Sequence, residues 1–255
     1  MLLLTITMRS LMATTMDTPT DKHLRIWKDY IYWDYDNLPW NINGHDKNLE
    51  KILKEYSIPK GSVLELGCGY GNDARWFARK GFDVTAIDVC PKAIDRAKEK
   101  GKRKNIEYVV EDIHSFSTEK KFDLVYDRGY IHNDQDIKGS RSLKKLFTKL
   151  HRLLKPKGKV IIISGNPNQE RPPDMEERHM HIAPPLSISK IEQSSFNCFK
   201  IKSVKEIVFD IKTRPPLTSF KDSLGWIFVL ESTYFSMYRK LKVTSNPYHY
   251  EFPSN

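Results

Sequence analysis

Short apolar runs alternate with amphipathic stretches along most of the chain between Val63 and Ser164. The apolar runs are rich in Val, Ile and Leu, which is typical of strands that are buried on both faces of a parallel sheet. The stretches between them place apolar residues at helical spacing. The pattern therefore predicts an α/β fold, a doubly wound (Rossmann-like) and mostly parallel sheet with helices on both faces.

Seven strands are predicted, the last of them antiparallel to the rest and two of them following a long Pro-containing stretch. They cover about 63–66, 82–88, 106–110, 122–127, 159–164, 199–209 and 226–231. The helical patterns cover about 49–56, 74–80, 91–100, 143–154 and 187–196. Each helix comes between two strands or flanks the first one, as the crossovers of a parallel sheet require.

A glycine turn follows the first strand at Gly67, Gly69 and Gly71, and a helical pattern begins directly behind it. Glycines let the backbone turn sharply and approach a ligand closely, and the helix N-terminus adds a partial positive charge. Dinucleotide folds favour G-x-G-x-x-G, but Asn72 holds the position of their third glycine. Glu65, just before the turn, would repel a pyrophosphate and suits a cationic ligand.

The string Glu65-Leu66-Gly67-Cys68-Gly69-Tyr70-Gly71 resembles motif I of the class I S-adenosylmethionine-dependent methyltransferases. The resemblance implies that S-adenosyl-L-methionine is the cofactor and that Glu65 helps to organise the ammonium end of its methionyl group. It also implies that the backbone of Gly67, Cys68 and Gly69 runs beside the cofactor.

Acidic residues follow the second and third predicted strands. Asp88 ends the second strand roughly 20 residues beyond the turn, where nucleotide-binding α/β folds place a carboxylate for ribose hydroxyls. Val89, the next residue, belongs to the same predicted cofactor site. The family resemblance implies that Asp112 accepts a hydrogen bond from the adenine amine and that Ile113 packs on the ring. Glu111 is the acceptor instead if the alignment is shifted by one residue.

The segment after the fourth strand resembles the F-D-x-V-x-D-R-G-x-x-H-x-x pattern of several bacterial small-molecule methyltransferases. Ligands of open α/β sheets lie outside the carboxyl ends of the strands, so this loop should approach the transferred methyl group. We therefore expect Asp127, Arg128, Tyr130 and His132 on the acceptor side, as candidate catalytic residues. Asp127 is also expected to contact the cofactor, and His132 is equally consistent with a structural role.

An aromatic segment precedes the first strand. Its part from Trp33 to Trp40 looks like the W-x(n)-P-W element of thiol and thiopurine methyltransferases, which helps to cover the cofactor and to line the acceptor site. Trp33 and Trp40 are thus implied in cofactor binding, with packing on the core as the alternative. Aromatic faces also attract a sulfonium cation. The similarity favours a small sulfur acceptor, such as a thiol, a thiopurine or hydrosulfide.

The net charge of +10 raises the alternative of a nucleic-acid or protein methyltransferase. The basic run 141–159 nevertheless has leucines at helical spacing, which favours an amphipathic helix with a solvated basic face. Asp127-Arg128-Gly129-Tyr130 stands where amino-methylating DNA enzymes carry a Pro-Pro-aromatic element. Cys90-Pro91 reverses the Pro-Cys order of base-C5 enzymes. Nucleic acid is therefore possible and not favoured, and an NAD-dependent oxidoreductase or a non-catalytic cofactor-binding module is less favoured still.

The rest of the sequence predicts how the chain is divided and where the protein is located. Residues 1–22 read as a disordered tail, 23–231 as one methyltransferase domain with an aromatic cap at 23–60, and 232–255 as an extension. Three cysteines at unrelated spacings favour a reducing, cytoplasmic location, and no apolar run is long enough to span a membrane. His179 and His181 form a weak metal signal, so no metal is predicted. Lys157 replaces the first glycine of a family L-x-P-G-G element before the fifth strand.

Overall fold

The computed structural model describes residues 41–42, 44–133, 140–166, 186–208 and 224–233. The predicted tail at 1–22 and residues 23–40 and 43 of the aromatic cap, including Trp33 and Trp40, lie outside the described residues. So do His179, His181 and the last 22 positions, 234–255. In the described part of the chain, no helix is long and apolar enough to cross a bilayer.

Seven strands form a single sheet. They are β1 (Ser62–Leu66), β2 (Asp83–Asp88), β3 (Ile106–Val110), β4 (Phe122–Arg128), β5 (Leu154–Gly165), β6 (Phe199–Val208) and β7 (Leu224–Ser232). The helices around it are α1 (Leu49–Glu55), α2 (Asn72–Arg79), α3 (Pro91–Glu99), α4 (Ser140–Leu153) and α5 (Ile188–Ser195). A short 3₁₀ turn, Ile131–Asn133, follows β4.

The strand order is β3-β2-β1-β4-β5-β7-β6. Strand β7 pairs antiparallel with both β5 and β6, and the other pairs are parallel. The predicted seven-stranded, doubly wound sheet with an antiparallel last strand is confirmed. Because the chain order reverses between β1 and β4, the crevice for a ligand lies outside the carboxyl ends of these two strands.

Two apolar cores cover the two faces of the sheet. Leu64 and Val125 point to the face packed against α4 and α5. Val63 and Leu124, their neighbours along the strands, point to the face packed against α1 and α2. Consecutive side chains of a strand point to opposite faces, so a sheet covered on both sides needs apolar residues at successive positions. This is why β1 and β4 are apolar almost throughout.

The basic helix α4 packs its apolar stripe on the sheet. Leu143, Leu146, Phe147 and Leu150 are buried, while lysines such as Lys144 are exposed. The interpretation of this stretch as an amphipathic helix with a solvated basic face is confirmed by that packing.

Strand β5 begins earlier than expected and is interrupted near its start. The pairing with β4 passes from Leu154 directly to Lys159, so the residues between them bulge out of the ladder. Lys157 takes a left-handed conformation there, with φ +62°. Gly158 follows because an added Cβ would lie 2.9 Å from the carbonyl oxygen of Lys155.

Candidate active site

The turn between β1 and α2 has a left-handed backbone at Gly67, Gly69 and Gly71. A Cβ added at Gly67 would lie 3.0 Å from the Cβ of Tyr130, and one added at Gly71 would lie 2.6 Å from the hydroxyl of Tyr108. The turn thus needs glycine both for its conformation and for its neighbours. It leaves a strip of backbone over which a ligand can pass closely.

Asp88 holds this turn in place from the end of β2. Its Oδ2 accepts a hydrogen bond from the amide of Gly69 and its Oδ1 accepts one from the amide of Cys90, each at 2.9 Å. The carboxyl group is buried, and Val89 beside it is half-buried. Because β1 and β2 are paired and parallel, their carboxyl ends meet at one edge. The predicted ribose acceptor therefore lies directly beside the glycine turn.

The loop after β3 approaches the same edge from the other side. Asp112 accepts a hydrogen bond from the amide of His114 at 2.9 Å, and the hydroxyl of Tyr130 lies 3.5 Å from its Oδ1. Glu111 accepts bonds from Ser115 and from the amide of Asp112. Ile113 is buried in the core. Tyr130 thus extends from Gly67 towards Asp112, across the space between the turn and the predicted adenine site.

Asp127 supports the loop that follows β4. Its Oδ1 accepts hydrogen bonds from the amides of Tyr130 at 3.0 Å and Ile131 at 3.1 Å, and the residue is fully buried. These bonds satisfy amides at the start of the 3₁₀ turn. Asp127 therefore fixes the direction in which Tyr130 and His132 leave the sheet.

Arg128 lies on the opposite face of β4 from Asp127, as the alternation of a strand requires. Its Nε donates to Oδ2 of Asp46 at 3.0 Å, and the two side chains are only 9% and 0% exposed. The amide of Asp46 in turn donates to Asp73 at 2.8 Å, and the hydroxyl of Tyr126 donates to the other oxygen of Asp73 at 3.1 Å. The guanidinium group is thus committed to a buried ion pair, which differs from its expected place beside the acceptor.

The sequence offered no local signal for Asp46 and Asp73. Asp73 lies in the first turn of α2, where an acid is common simply because of the helix dipole. Asp46 lies in an irregular segment, and its partner Arg128 is far away along the chain. The alternation of side chains along β4 was the signal that could have placed Arg128 and Asp127 on opposite faces of the sheet.

Glu65 carries a carboxyl oxygen, Oε2, that is buried and has no hydrogen-bond partner among the described residues. Burial raises the pKa of Glu65 well above its usual value, and the nearby Asp73 raises it further. Burial also raises the pKa of Asp73 to about 6, against the opposing effect of Arg128. A buried carboxyl group without a partner is unfavourable unless a ligand supplies a donor. The position therefore fits a ligand that presents an ammonium group at the turn.

His132 is half-buried in the 3₁₀ turn, and its Nδ1 is buried without a hydrogen-bond partner in the described part of the chain. Burial, assisted by the charge of Arg128, lowers the pKa of His132 to about 4. The imidazole is therefore neutral near pH 7, and its tautomer leaves one ring nitrogen able to accept a proton.

Several predicted residues are thus brought together at one edge of the sheet. Glu65, the glycine turn, Asp88, Asp112 and the loop from Asp127 to His132 all lie at the carboxyl ends of β1 to β4. This is the edge at which open α/β sheets bind ligands. Which of these residues contact a cofactor stays a prediction, as does the part of Trp33 and Trp40.

Comparison with known proteins shows what this part of the chain is similar to. Residues 63–158 match the family model described as a methyltransferase domain. Nodulation protein S of Rhizobium tropici is 31% identical over 134 residues, which cover 52% of this chain and 54% of that protein. The chain spans about half the length of the curated relatives it matches.

Two solved structures extend the comparison. One has a TM-score of 0.63 and 25% identity, and it concerns the conversion of a disulfide bond into a thioacetal group during echinomycin biosynthesis. It covers 78% of this chain and 85% of the other. The N-methyltransferase NodS of Bradyrhizobium japonicum WM9, in complex with S-adenosyl-L-homocysteine, has a TM-score of 0.57 and 18% identity, covering 85% of this chain and 99% of the other. At that identity the likeness to NodS shows the fold.

The family match covers the strand, turn and acid pattern that predicted the cofactor, so the expectation of S-adenosyl-L-methionine is confirmed at the level of the family. The finer resemblance, to thiol and thiopurine methyltransferases, stays a prediction. Residues 63–158 are thus similar to a methyltransferase domain, and the NodS structure of the same fold holds S-adenosyl-L-homocysteine.

Proposed function

We propose that the whole chain is an enzyme that transfers a methyl group from S-adenosyl-L-methionine to a small molecule, with a sulfur nucleophile as the acceptor. The observation that carries the proposal is the buried, unpartnered carboxyl oxygen of Glu65 beside a glycine turn that Asp88 holds. A pyrophosphate has no donor to offer this oxygen and would oppose ionisation of the carboxyl group, whereas an ammonium group would donate to it and favour its ionised form. NAD chemistry is therefore disfavoured by the same observation.

Three acidic residues at the carboxyl ends of the strands divide the binding of the cofactor among them. Glu65 would hold the ammonium group, Asp88 the ribose hydroxyls and Asp112 the adenine amine. S-adenosyl-L-methionine supplies a methyl group on a sulfonium, which is already a good leaving group. The work of the chain is then mainly to align the acceptor, and such alignment is worth about 7–11 kcal/mol in favourable systems.

A thiol acceptor needs little activation by the residues of the acceptor side. A free thiol has a pKa near 8.5, so a few per cent is already the nucleophilic thiolate at neutral pH and no strong base is needed. The guanidinium group of Arg128 is already paired with Asp46, so a thiolate would not depend on it. The structure associated with the conversion of a disulfide into a thioacetal supports sulfur chemistry on this fold. The resemblance of the Trp33–Trp40 segment points to the same class.

A nitrogen or oxygen acceptor is the second candidate, and His132 is the observation that favours it. A neutral imidazole with an unpartnered Nδ1 can accept the proton that an amine or hydroxyl loses during methylation. The likeness to an N-methyltransferase is compatible with this alternative. A nucleic-acid acceptor remains a third possibility on charge alone, because α4 exposes lysines along one face.

The proposal places the enzyme in the cytoplasm, acting on a small molecule. All three cysteines of the chain, Cys68, Cys90 and Cys198, are buried thiols that form no disulfide. Such thiols are typical of a reducing compartment, where disulfides do not form.

The test combines binding with a screen of acceptors. Calorimetry with S-adenosylhomocysteine and with NAD should give binding of the first and not of the second. Purified protein with S-adenosyl-L-methionine should then release S-adenosylhomocysteine with sodium hydrosulfide or 2-mercaptoethanol, faster than with phosphoethanolamine, phenol or RNA. Turnover restricted to an amine, a phenol or RNA would reject the sulfur acceptor. The absence of any binding to either form of the cofactor would reject the methyltransferase proposal.

A further inference from the structure

We infer that Arg128 is a positioning residue that acts through Asp46. Together the two residues tie the segment before α1, residues 44–48, to the loop after β4 that carries Tyr130 and His132. The inference rests on the proposed function for its effect on turnover, but the tie itself stands on contacts among described residues. It assigns Arg128 a role in the geometry of the acceptor side rather than in contact with the acceptor.

The contacts of Asp46 make it the junction of three elements. Its Oδ2 accepts from Arg128 at the end of β4, and its amide donates to Asp73 in α2. Its Oδ1 accepts two bonds from Asn48, from the amide and from the side chain, each at 2.9 Å. A single residue, through its carboxylate and its backbone amide, thus fixes the segment internally and on two sides.

Further contacts attach this part of the chain to α2. His45 stacks on Trp76, with ring centroids 4.8 Å apart and an angle of 12° between the planes. Just before the segment, Asn41 accepts from Asn72 at 3.1 Å. Among the contacts described for this segment, the bond from Arg128 is the one that reaches β4. It therefore sets the position of the segment relative to the acceptor loop, whereas the others set it relative to α2.

The ion pair also has features that stability does not explain. Taking two charges out of water costs several kcal/mol per ion, and apolar residues of similar size often stabilise such a position equally well. Buried ion pairs are in some proteins retained because they specify one arrangement. Here one partner is Arg128, which follows Asp127 and comes just before the loop that carries Tyr130 and His132. The other partner, Asp46, lies in a segment far away in sequence. A role in specifying the arrangement of the acceptor side accounts for its location.

A matched control pair exists nearby. Glu50 of α1 accepts from Lys80, just after α2, at 2.7 Å, and the side chains are 69% and 43% exposed. This pair joins the same part of the chain to α2 but does not reach β4. Exposed pairs contribute little because water and salt screen them. Loss of this pair should therefore leave the acceptor side unchanged.

The variants are Arg128→Gln, Asp46→Asn, the double variant with both changes, and Glu50→Gln as control. Each single change leaves one buried charge without its partner, whereas Gln and Asn together can form a neutral hydrogen bond. Hydrogen–deuterium exchange measured by mass spectrometry should show faster exchange of the peptide covering 41–48 in both single variants. Exchange of β1 and β2 should not change, and the double variant should approach the wild type.

Kinetics with sodium hydrosulfide supply the second measurement. Each single variant should lose about 10-fold or more in kcat/KM for hydrosulfide, while the Kd for S-adenosylhomocysteine changes by less than about 3-fold. The double variant should lose less than either single one. Unchanged exchange at 41–48 in the single variants would overturn the inference, as would losses that multiply in the double variant. If hydrosulfide is not methylated at all, the proposed acceptor fails, and the exchange data still decide whether the tie exists.

Discussion

The carboxylate of Asp88 accepts a hydrogen bond from the amide of Gly69 at 2.9 Å, so the end of β2 is bound directly to the turn after β1. The acid that was predicted to hold a ribose therefore also shapes the backbone on which the cofactor would lie. A carboxylate has about four acceptor sites, so the two roles are compatible. If a substitution of Asp88 weakens cofactor binding, the loss therefore has two sources, the contact with the ribose and the shape of the turn, and they must be measured separately.

Asp88→Ala should weaken the binding of S-adenosylhomocysteine by about 1–3 kcal/mol, because buried donors lose their acceptor. Calorimetry measures this loss, and thermal unfolding without ligand reports the part that comes from the turn itself. Asp88→Asn keeps one acceptor oxygen and should fall between the wild type and Asp88→Ala in affinity. Unchanged affinity in Asp88→Ala would contradict the ribose assignment.

Gly71→Ala should destabilise the protein by at least about 1–2 kcal/mol, because a non-glycine residue in the left-handed region costs that much. Gly71 has φ +66°, and the new methyl group would also press on Tyr108. Denaturant unfolding without ligand measures the effect. Gly44→Ala is the matched control, since its Cβ would meet nothing closer than 4.0 Å and should change stability by less than about 0.5 kcal/mol. Equal effects of the two changes would show that the turn tolerates a side chain.

Binding of the cofactor should release the proton that Glu65 keeps in the ligand-free protein. Burial raises the pKa of Glu65 well above its usual value in the ligand-free protein, and an ammonium group beside it would favour the ionised form. The proton then leaves as the ligand binds, so affinity should fall as pH falls through the raised pKa. Calorimetry with S-adenosylhomocysteine in phosphate and in Tris, which differ in ionisation enthalpy, measures the number of protons released.

Glu65→Gln is the control for that measurement, because it is close in shape and cannot ionise. It should bind the ligand more weakly and show the same enthalpy in both buffers, apart from protons that come from the ligand itself. Stability of the ligand-free protein adds a check of the sign. Folded wild type keeps the proton of Glu65 where the unfolded chain has lost it, so its stability falls as pH rises through the raised pKa. Glu65→Gln should lack this fall, and a parallel pH dependence in both proteins would contradict the assignment.

Most of the fold was predictable because its signals are local. Each central strand is apolar on both faces, and the glycine turn, Glu65 and Asp88 follow from spacing within about 25 residues. The start of β5 was not predictable in the same way, because a lysine at 157 does not indicate a left-handed residue in a bulge. Family resemblance marked the position only as a departure from glycine.

The site was predictable in part, and the part that was missed depends on contacts between distant residues. Asp127 and Arg128 are neighbours in sequence and were expected to act together, yet the pleat of β4 sends them to opposite faces. Asp127 turns to the amides of its own loop, whereas Arg128 reaches Asp46. Sequence alone gives the alternation of side chains along a strand, but it does not show which hydrogen-bond or ion-pair partners lie on each face.

His132→Ala should slow turnover of the preferred acceptor and leave the Kd for S-adenosylhomocysteine nearly intact, if the imidazole faces the acceptor. Its pKa of about 4 keeps the ring neutral from pH 5 to pH 8, so kcat/KM should show no inflection near 6.5 that His132 controls. The pH profiles of wild type and His132→Ala therefore should have the same shape and different heights. A variant that changes neither turnover nor affinity would make His132 structural, and an inflection near 6.5 lost in the variant would contradict the neutral ring.

Lys157→Gly should stabilise the protein by about 0.5–1 kcal/mol. Lys157 has φ +62°, a conformation that costs an L-residue about 1–2 kcal/mol. Glycine removes this cost, but its greater freedom in the unfolded chain offsets part of the stabilisation. The side chain is exposed, so its removal loses no packing. Lys157→Ala is the control, because it removes the same charge but keeps the Cβ that opposes this backbone. Denaturant unfolding should show a gain for glycine and none for alanine, and a gain of similar size in both would mean that the lysine charge, rather than the left-handed bulge before β5, is the source of the cost.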